Sequence, residues 1–246
     1  MPRPTNSAGL SPRTASVEIR AAGDAAFVVD LGTEIDPAVN ARVIAIADGL
    51  RDARIDGVRD VMSSYASVTV CFDPLRTDVG TLTGAMQRQV ATAAPSPVDT
   101  PVPTEVPVSY GGAWGPDLEL VAHHAGCSPD DVIRWHAAPV YQVYLLGFVP
   151  GFAYLGRVDE RIAIPRRDSP RLRVPIGSVG IAGSQTGIYP AETPGGWQLI
   201  GRTTVRPFDP GRDQPFLFGP GDTVRFVPTD ASAMAPAEAT PCVRPV

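Results

Sequence analysis

The chain has no lysine: all 21 of its basic residues are arginine. That absence removes a phosphate-loop lysine, a Schiff-base lysine and a lysine general base together. Recognition of an anion must then fall to arginine, to backbone N–H groups or to a metal. Cysteine is also scarce. The three, Cys71, Cys127 and Cys242, stand far apart. Their spacing builds neither a disulfide framework nor a zinc site, and they read as small apolar side chains. No run of ~18 apolar residues could span a bilayer. The first residues, MPRPTNSAGLSPRTAS, lack the apolar centre of a signal peptide, so a cytoplasmic location is expected. The formal charge of −5 comes without a basic block, which excludes the counterion release that drives nucleic-acid binding.

What is present suits globular structure. Of 246 residues, 43% are hydrophobic, enough for one large domain or two small ones. Residues 1–15 are rich in Pro, Ser and Thr and are expected to be mobile. Strands are predicted at 17–20 and 25–31. Asp36 then caps a helix with Pro37 at its first position, and Val39, Val43, Ile46 and Leu50 mark one face. Further strands are predicted at 58–62 and 67–72, the second alternating Val68, Val70 and Phe72 with polar residues. A second helix is predicted over 78–90. The order ββαββα over 16–93 predicts a small α+β sandwich. The Pro-rich stretch 94–103 has no apolar period and marks the domain boundary.

The second domain, 104–230, opens with a strand at 105–110. Helices are predicted at 117–125 and 129–137, the latter capped by Ser128 with Asp131 three residues on. Beyond Tyr141, short apolar runs alternate with Gly and Pro. Strands are expected at 143–146, 162–164, 172–174, 178–182, 197–201, 216–218 and 224–227, the pattern of a β-barrel. The tail after Pro228 reads as frayed. The helix pair has the spacing of a helix-turn-helix, but Asp130 and Asp131 oppose a phosphate backbone, so it reads as a structural insert.

Candidate chemistry gathers between Gly147 and Arg202. In GFVPGFAYLG, Phe148, Phe152 and Tyr154 read either as an aromatic pocket wall or as the packing of a tight barrel corner. PRRDSPRLRVPIGSVGIAG sets Arg166, Arg167, Arg171 and Arg173 on a Pro-stiffened frame suited to a carboxylate or phosphate. Its GSVG, holding Ser178, could form a backbone anion nest. Ser178 is a poor candidate nucleophile, since the segment is not G-x-S-x-G. In QTGIYPAETPGGWQLIGRT, Gln185, Thr186, Tyr189, Trp197, Arg202 and Thr203 bring amide, hydroxyl, stacking and charged groups together, the usual make-up of a small-ligand site. His123 and His124 read as surface or capping residues. His136 reads either as a core or hinge histidine or as an acid–base group.

These three motifs, with GPGDTVRFVP, GDAAFVVDLG and SYASVTVCFDP, resemble the KipI family over nearly the whole chain. Enzymatic members of that family are the B subunit of ATP-dependent 5-oxoprolinase, also labelled allophanate hydrolase subunit 1. A similar unit lies in the carboxyltransferase part of urea carboxylase. The resemblance implies a small α+β domain followed by a cyclophilin-like β-barrel. It implies a tight complex with the C subunit of 5-oxoprolinase and cooperation with its A subunit. Together these would open the lactam of 5-oxoproline to glutamate, using ATP with magnesium bound by the complex rather than by this chain alone. In that setting Arg166, Arg171 and Arg202 would hold anionic groups. Gln185 and Tyr189 would orient the lactam amide, with Ser178 and Thr203 beside them. Trp197 would wall the pocket with Phe148, Phe152 and Tyr154, and His136 would act as acid or base. No metal ligand is expected on this chain. Three other readings compete. One is a regulator that inhibits a sensor histidine kinase. Another is a prolyl isomerase, by fold analogy alone. The third is a urea carboxylase component, which the missing lysine and biotin-carrying domain disfavour.

Overall fold

A computed structural model describes residues 17–94 and 102–230. Residues 1–15, most of the Pro-rich linker, the end of the tail and Cys242 lie outside the described residues. The chain divides into two compact units, Met1–Ala94 and Pro95–Val246.

In the first unit, β1 (Glu18–Ala21), β2 (Ala26–Asp30), β3 (Val58–Ser63) and β4 (Ser67–Phe72) form an antiparallel sheet in the order β1-β2-β4-β3. Helices α1 (Pro37–Asp52) and α2 (Val79–Thr92) cover it. Helix α1 starts where the Asp36 carboxylate accepts the N–H groups of Ala38 and Val39 at 2.8 and 3.0 Å. Those groups have no partner within the helix, and Pro37 has no N–H to satisfy. Its Val43, Ile46, Ala47 and Leu50 are buried against Val61, Val68, Val70 and Phe72 of the sheet and Leu82 and Met86 of α2. Burying each of the Val, Ile, Leu, Met and Phe side chains is worth about 1.5–3 kcal/mol. Asn40, fully buried, donates from Nδ2 to the carbonyls of Ser64 and Tyr65 and so ties α1 to the β3–β4 turn.

The second unit is a closed barrel. Its strands are β5 (Thr104–Tyr110), β6 (Tyr141–Leu146), β7 (Ala153–Gly156), β9 (Ser178–Ala182), β10 (Gln185–Ile188), β12 (Gln198–Arg202) and β13 (Thr223–Pro228). They run in the order β10-β7-β6-β13-β5-β12-β9, with β5 and β13 parallel. Strands β8 (Arg171–Val174) and β11 (Thr193–Gly195) make a separate two-stranded ribbon. Helices α3 (Leu118–Ala125) and α4 (Pro129–Ala137) pack on β12 and β13. Ser128 and Asp131 exchange side-chain and backbone hydrogen bonds, the capping box the sequence predicts.

Two predicted strands are corrected. The 162–164 run is instead a 3-10 turn, Glu160–Ile162, because the Asp159 carboxylate takes the Arg161 N–H and bends the chain. The 216–218 run keeps a single bridge, Phe208 to Phe216. Pro207, Pro210 and Pro215 there have no N–H to extend a ladder. Conversely, β7, β10 and β11 are strands within stretches rich in Gly and Pro. At Gly187 in β10 a Cβ would stand 3.0 Å from the Ala153 carbonyl and 3.1 Å from the Phe152 ring, so glycine lets β7 and β10 close together. Among the described residues no helix is long and apolar enough to cross a membrane.

Candidate functional site

Beside the main barrel core lies a second buried cluster of Phe152, Val174, Ala182, Tyr189, Trp197 and Leu199. Phe152 is its hub. Its ring centroid lies 4.8 Å from that of Tyr154 and 5.2 Å from those of Tyr189 and Trp197. Phe148 meets Phe152 edge-on at 5.7 Å and is 60% exposed. The loop carrying it is closed by Gly147 N–H to Phe152 carbonyl (3.1 Å) and Phe152 N–H to Val149 carbonyl (3.0 Å). Phe148 sits at φ +66°, a left-handed conformation that costs a bulky residue of order 1–3 kcal/mol. Gly151 follows at φ +83°, where a Cβ would stand 2.5 Å from the Phe208 Cβ. The surroundings thus hold an exposed aromatic in a strained position at the rim of a buried aromatic base.

The arginines divide into distinct roles. Arg166 is exposed and makes no hydrogen bond or ion pair among the described residues. Burial raises the Tyr154 and Tyr189 phenols above their usual range, and the nearby Arg166 charge works against both rises. Arg166 lies between Pro165, whose carbonyl accepts from Gln198 Nε2 at 3.1 Å, and Arg167, whose N–H donates to the Gly196 carbonyl at 2.7 Å, so its backbone runs beside Trp197 with the side chain uncommitted among the described residues. Arg171 and Arg167 instead share one carboxylate, Asp117 Oδ1, at 2.7 and 3.3 Å. Arg171 is part of the frame in this arrangement, not a free anion holder. Tyr189 is also enclosed, only 1% exposed, its ring edge-on to Phe152.

A second group forms farther along β12. Arg202 donates from Nε to the Ile176 carbonyl at 2.8 Å, and its guanidinium lies 5.2 Å from the Trp114 ring centroid. Ser178 pairs with Arg202 in the β9–β12 register and is 2% exposed. Thr203 is buried and accepts the Val205 N–H at 3.1 Å. Arg202 lies three residues from Leu199, roughly 10 Å of strand. The proposed nest at GSVG is closed, because Gly177 N–H donates to Tyr189 and Ser178 N–H to Pro175. Gln185 opens β10 opposite Gly156 and Ala182, three residues before Ile188. The structure thus brings Phe148, Phe152, Tyr154, Tyr189 and Trp197 together with the Arg166 backbone beside them, and places Arg202, Ser178 and Thr203 in a neighbouring group.

His136 belongs to neither group. It is fully buried on α4, stacked on Phe226 at 4.6 Å. Its Nδ1 lies 2.8 Å from the Tyr110 hydroxyl and its Nε2 2.8 Å from Thr186 Oγ1. Thr186 spends its own proton on the Gly180 carbonyl at 3.0 Å. Thr186 must then accept from His136, which fixes the neutral ring with the proton on Nε2 and leaves Nδ1 to accept from Tyr110. Burial drives the imidazole pKa down to about 3. In this arrangement both ring nitrogens are engaged inside the core, the surroundings of a core histidine rather than of an acid–base group.

Sequence reasoning missed Asp117, Arg167 as an anchor, Trp114 and Tyr110. Asp117, the first residue of the helix predicted at 117–125, takes the N-cap position of α3, yet its side chain makes no cap bond. It is 4% exposed and accepts the Leu199 N–H at 2.6 Å through Oδ2. Among the described residues no group of three His, Cys, Asp or Glu side chains could hold a metal ion. Chemically, the site can bind a small molecule that carries both a flat or apolar face and negative charge. It offers no nucleophile next to a base.

Residues 17–218 match the carboxyltransferase domain, subdomains C and D. The chain belongs to that family. It is 40% identical over 224 residues to the 5-oxoprolinase B subunit of Bacillus subtilis, covering 87% of this chain and 93% of that one. It is 60% identical over 124 residues to the 5-oxoprolinase B subunit of Escherichia coli O157:H7, covering 50% of this chain and 57% of that one. Against this second relative the match spans only a little over half of its length. Of solved structures, TTHA0988 is 37% identical, with a TM-score of 0.75, over 87% of this chain and 41% of that one. The urea carboxylase of Kluyveromyces lactis shares the fold, at 20% identity and a TM-score of 0.71, over 89% of this chain and 22% of that one.

Proposed function

We propose that this chain is the B subunit of an ATP-dependent 5-oxoprolinase and supplies one half of a site completed by the enzyme's C and A subunits. The relatives named as 5-oxoprolinase B subunits support the reading at the level of the whole chain. The observation that carries it at the level of the site is Arg166, an exposed guanidinium without a partner among the described residues, on a backbone held beside the aromatic base. 5-Oxoproline is a flat five-membered lactam bearing one carboxylate. The aromatic rim suits the ring, and Arg166 suits the carboxylate or the negative charge that develops on the lactam oxygen as the ring opens. The missing nucleophile–base pair agrees with a chain that needs partners for turnover.

ATP fits this chain in charge but not in cradle. Arginines can meet phosphate oxygens, but the GSVG N–H groups are spent and no carboxylate cluster among the described residues is available for magnesium. In this reading the nucleotide is held by the assembled complex. The test is ATP hydrolysis that depends on 5-oxoproline, measured with this chain and its C and A partners and with each omitted in turn. Turnover only in the full mixture is expected. Turnover undiminished without this chain, or none in the full mixture while a sensor-kinase domain binds the chain tightly, overturns the reading.

A further inference from the structure

We infer that Asp117 is a positioning residue for this half-site: its buried carboxylate holds the arginine segment 166–171 beside the aromatic base. The inference rests on the reading that Arg166 faces an anionic substrate.

Asp117 stands where an N-cap residue of α3 would, but its side chain is turned away from the helix. Oδ2 accepts from Leu199 N–H, while Asp117 N–H donates back to the Leu199 carbonyl at 2.9 Å. This locks the carboxylate to β12, next to the aromatic base that Leu199 helps to form. Oδ1 then receives both Arg171 and Arg167. Two guanidiniums on one carboxylate leave an excess positive charge, so the cluster is not a closed ion pair. Arg171 Nη1 and Arg167 Nε are buried without a hydrogen-bond partner. The guanidiniums are thus held where Asp117 puts them, even though other donors go unmet.

The link to Arg166 runs through Arg167. That residue is fixed at both ends, its side chain on Asp117 and its N–H on the Gly196 carbonyl at 2.7 Å, beside Trp197. Arg171 opens β8, whose Val174 packs into the aromatic base. Arg166, with no anchor of its own, takes its direction from the neighbours that Asp117 holds.

Asp117→Asn keeps the shape and an acceptor for Leu199 N–H but removes the charge that gathers the arginines. In the reconstituted complex it should raise KM for 5-oxoproline by up to about 100-fold, with kcat changed by less than about threefold. Arg166→Ala should do the same, and the double variant should match Arg166→Ala alone, because both changes remove one effect. A second readout needs no turnover. The Tyr154 phenol titration in the isolated chain, isolated by subtracting the Tyr154→Phe spectrum, should move upward in Arg166→Ala and equally in Asp117→Asn. Should Asp117→Asn fail to fold, Arg167→Gln removes one anchor from its more exposed end and enters the same comparisons. Multiplicative KM effects, or a Tyr154 titration shifted by Arg166→Ala but not by Asp117→Asn, overturn the inference. An unchanged KM in Arg166→Ala, with Tyr154 shifted in both variants, leaves Asp117 as the positioning residue and refutes the substrate reading instead.

Discussion

Mild acid should loosen the barrel unit through one side chain, His136. Its imidazole titrates near pH 6.5 when free, and burial lowers that value to about 3 in the folded unit. The unfolded chain therefore binds a proton that the folded chain refuses. The stability so contributed is complete above pH 6.5 and is lost as pH falls from 6.5 toward 3. Between pH 7.5 and pH 5 the loss is about 2 kcal/mol, and down to pH 3 it reaches about 4 kcal/mol. Carboxylates with lowered pKa values in this unit, Asp131 and Asp159, start from an ordinary value of 3.8 and contribute little above pH 5. All three tryptophans, Trp114, Trp135 and Trp197, lie in this unit, so their fluorescence reports its unfolding. In urea, the midpoint should fall by roughly 1 M between pH 7.5 and pH 5, at about 2 kcal/mol/M. His136→Gln should be less stable at pH 7.5 but nearly level across that range. Equal pH slopes in the two proteins would refute the assignment of the proton to His136 and, with it, the fixed Tyr110–His136–Thr186 chain.

Two further outcomes follow from the loop and the closed GSVG turn. Gly151→Ala forces a Cβ against Phe208 at φ +83° and should lower barrel stability by about 2 kcal/mol or more in the same urea assay. Ser178→Ala should leave turnover of the complex within roughly twofold, because a buried hydroxyl without a base is not a nucleophile, and a thousandfold loss would contradict this.

The first unit was legible because its signals are local. Asp36-Pro37 marks a helix start, and Val68, Val70 and Phe72 alternate as a half-buried strand must. The capping box at Ser128 was legible for the same reason. The barrel was harder, since β7 and β10 are short strands whose glycines serve close packing between neighbours and look like turn residues when read alone. The same limit hid the site's frame. Nothing near Asp117 in the chain indicates that Arg167 and Arg171, 50 and 54 positions away, will converge on it. Composition did narrow the choice of anion holder to arginine, but only tertiary structure separates the uncommitted Arg166 from Arg171 and from the neighbouring Arg202. His136 shows the opposite limit: its residue type suggests chemistry, while its burial and its Tyr110 and Thr186 partners are visible only in the fold.

Arg166, on a backbone held beside the Phe152–Tyr189–Trp197 base, is proposed to meet the substrate's negative charge. The most direct measurement is kcat/KM for 5-oxoproline in complexes reconstituted with wild-type chain, Arg166→Ala and Arg202→Ala. Loss of one charged hydrogen bond predicts a fall of about 10- to 100-fold for Arg166→Ala. Arg202→Ala, in the neighbouring group, should change it by less than about threefold. A wild-type value in the Arg166→Ala complex, with the loss appearing in Arg202→Ala instead, would contradict the account.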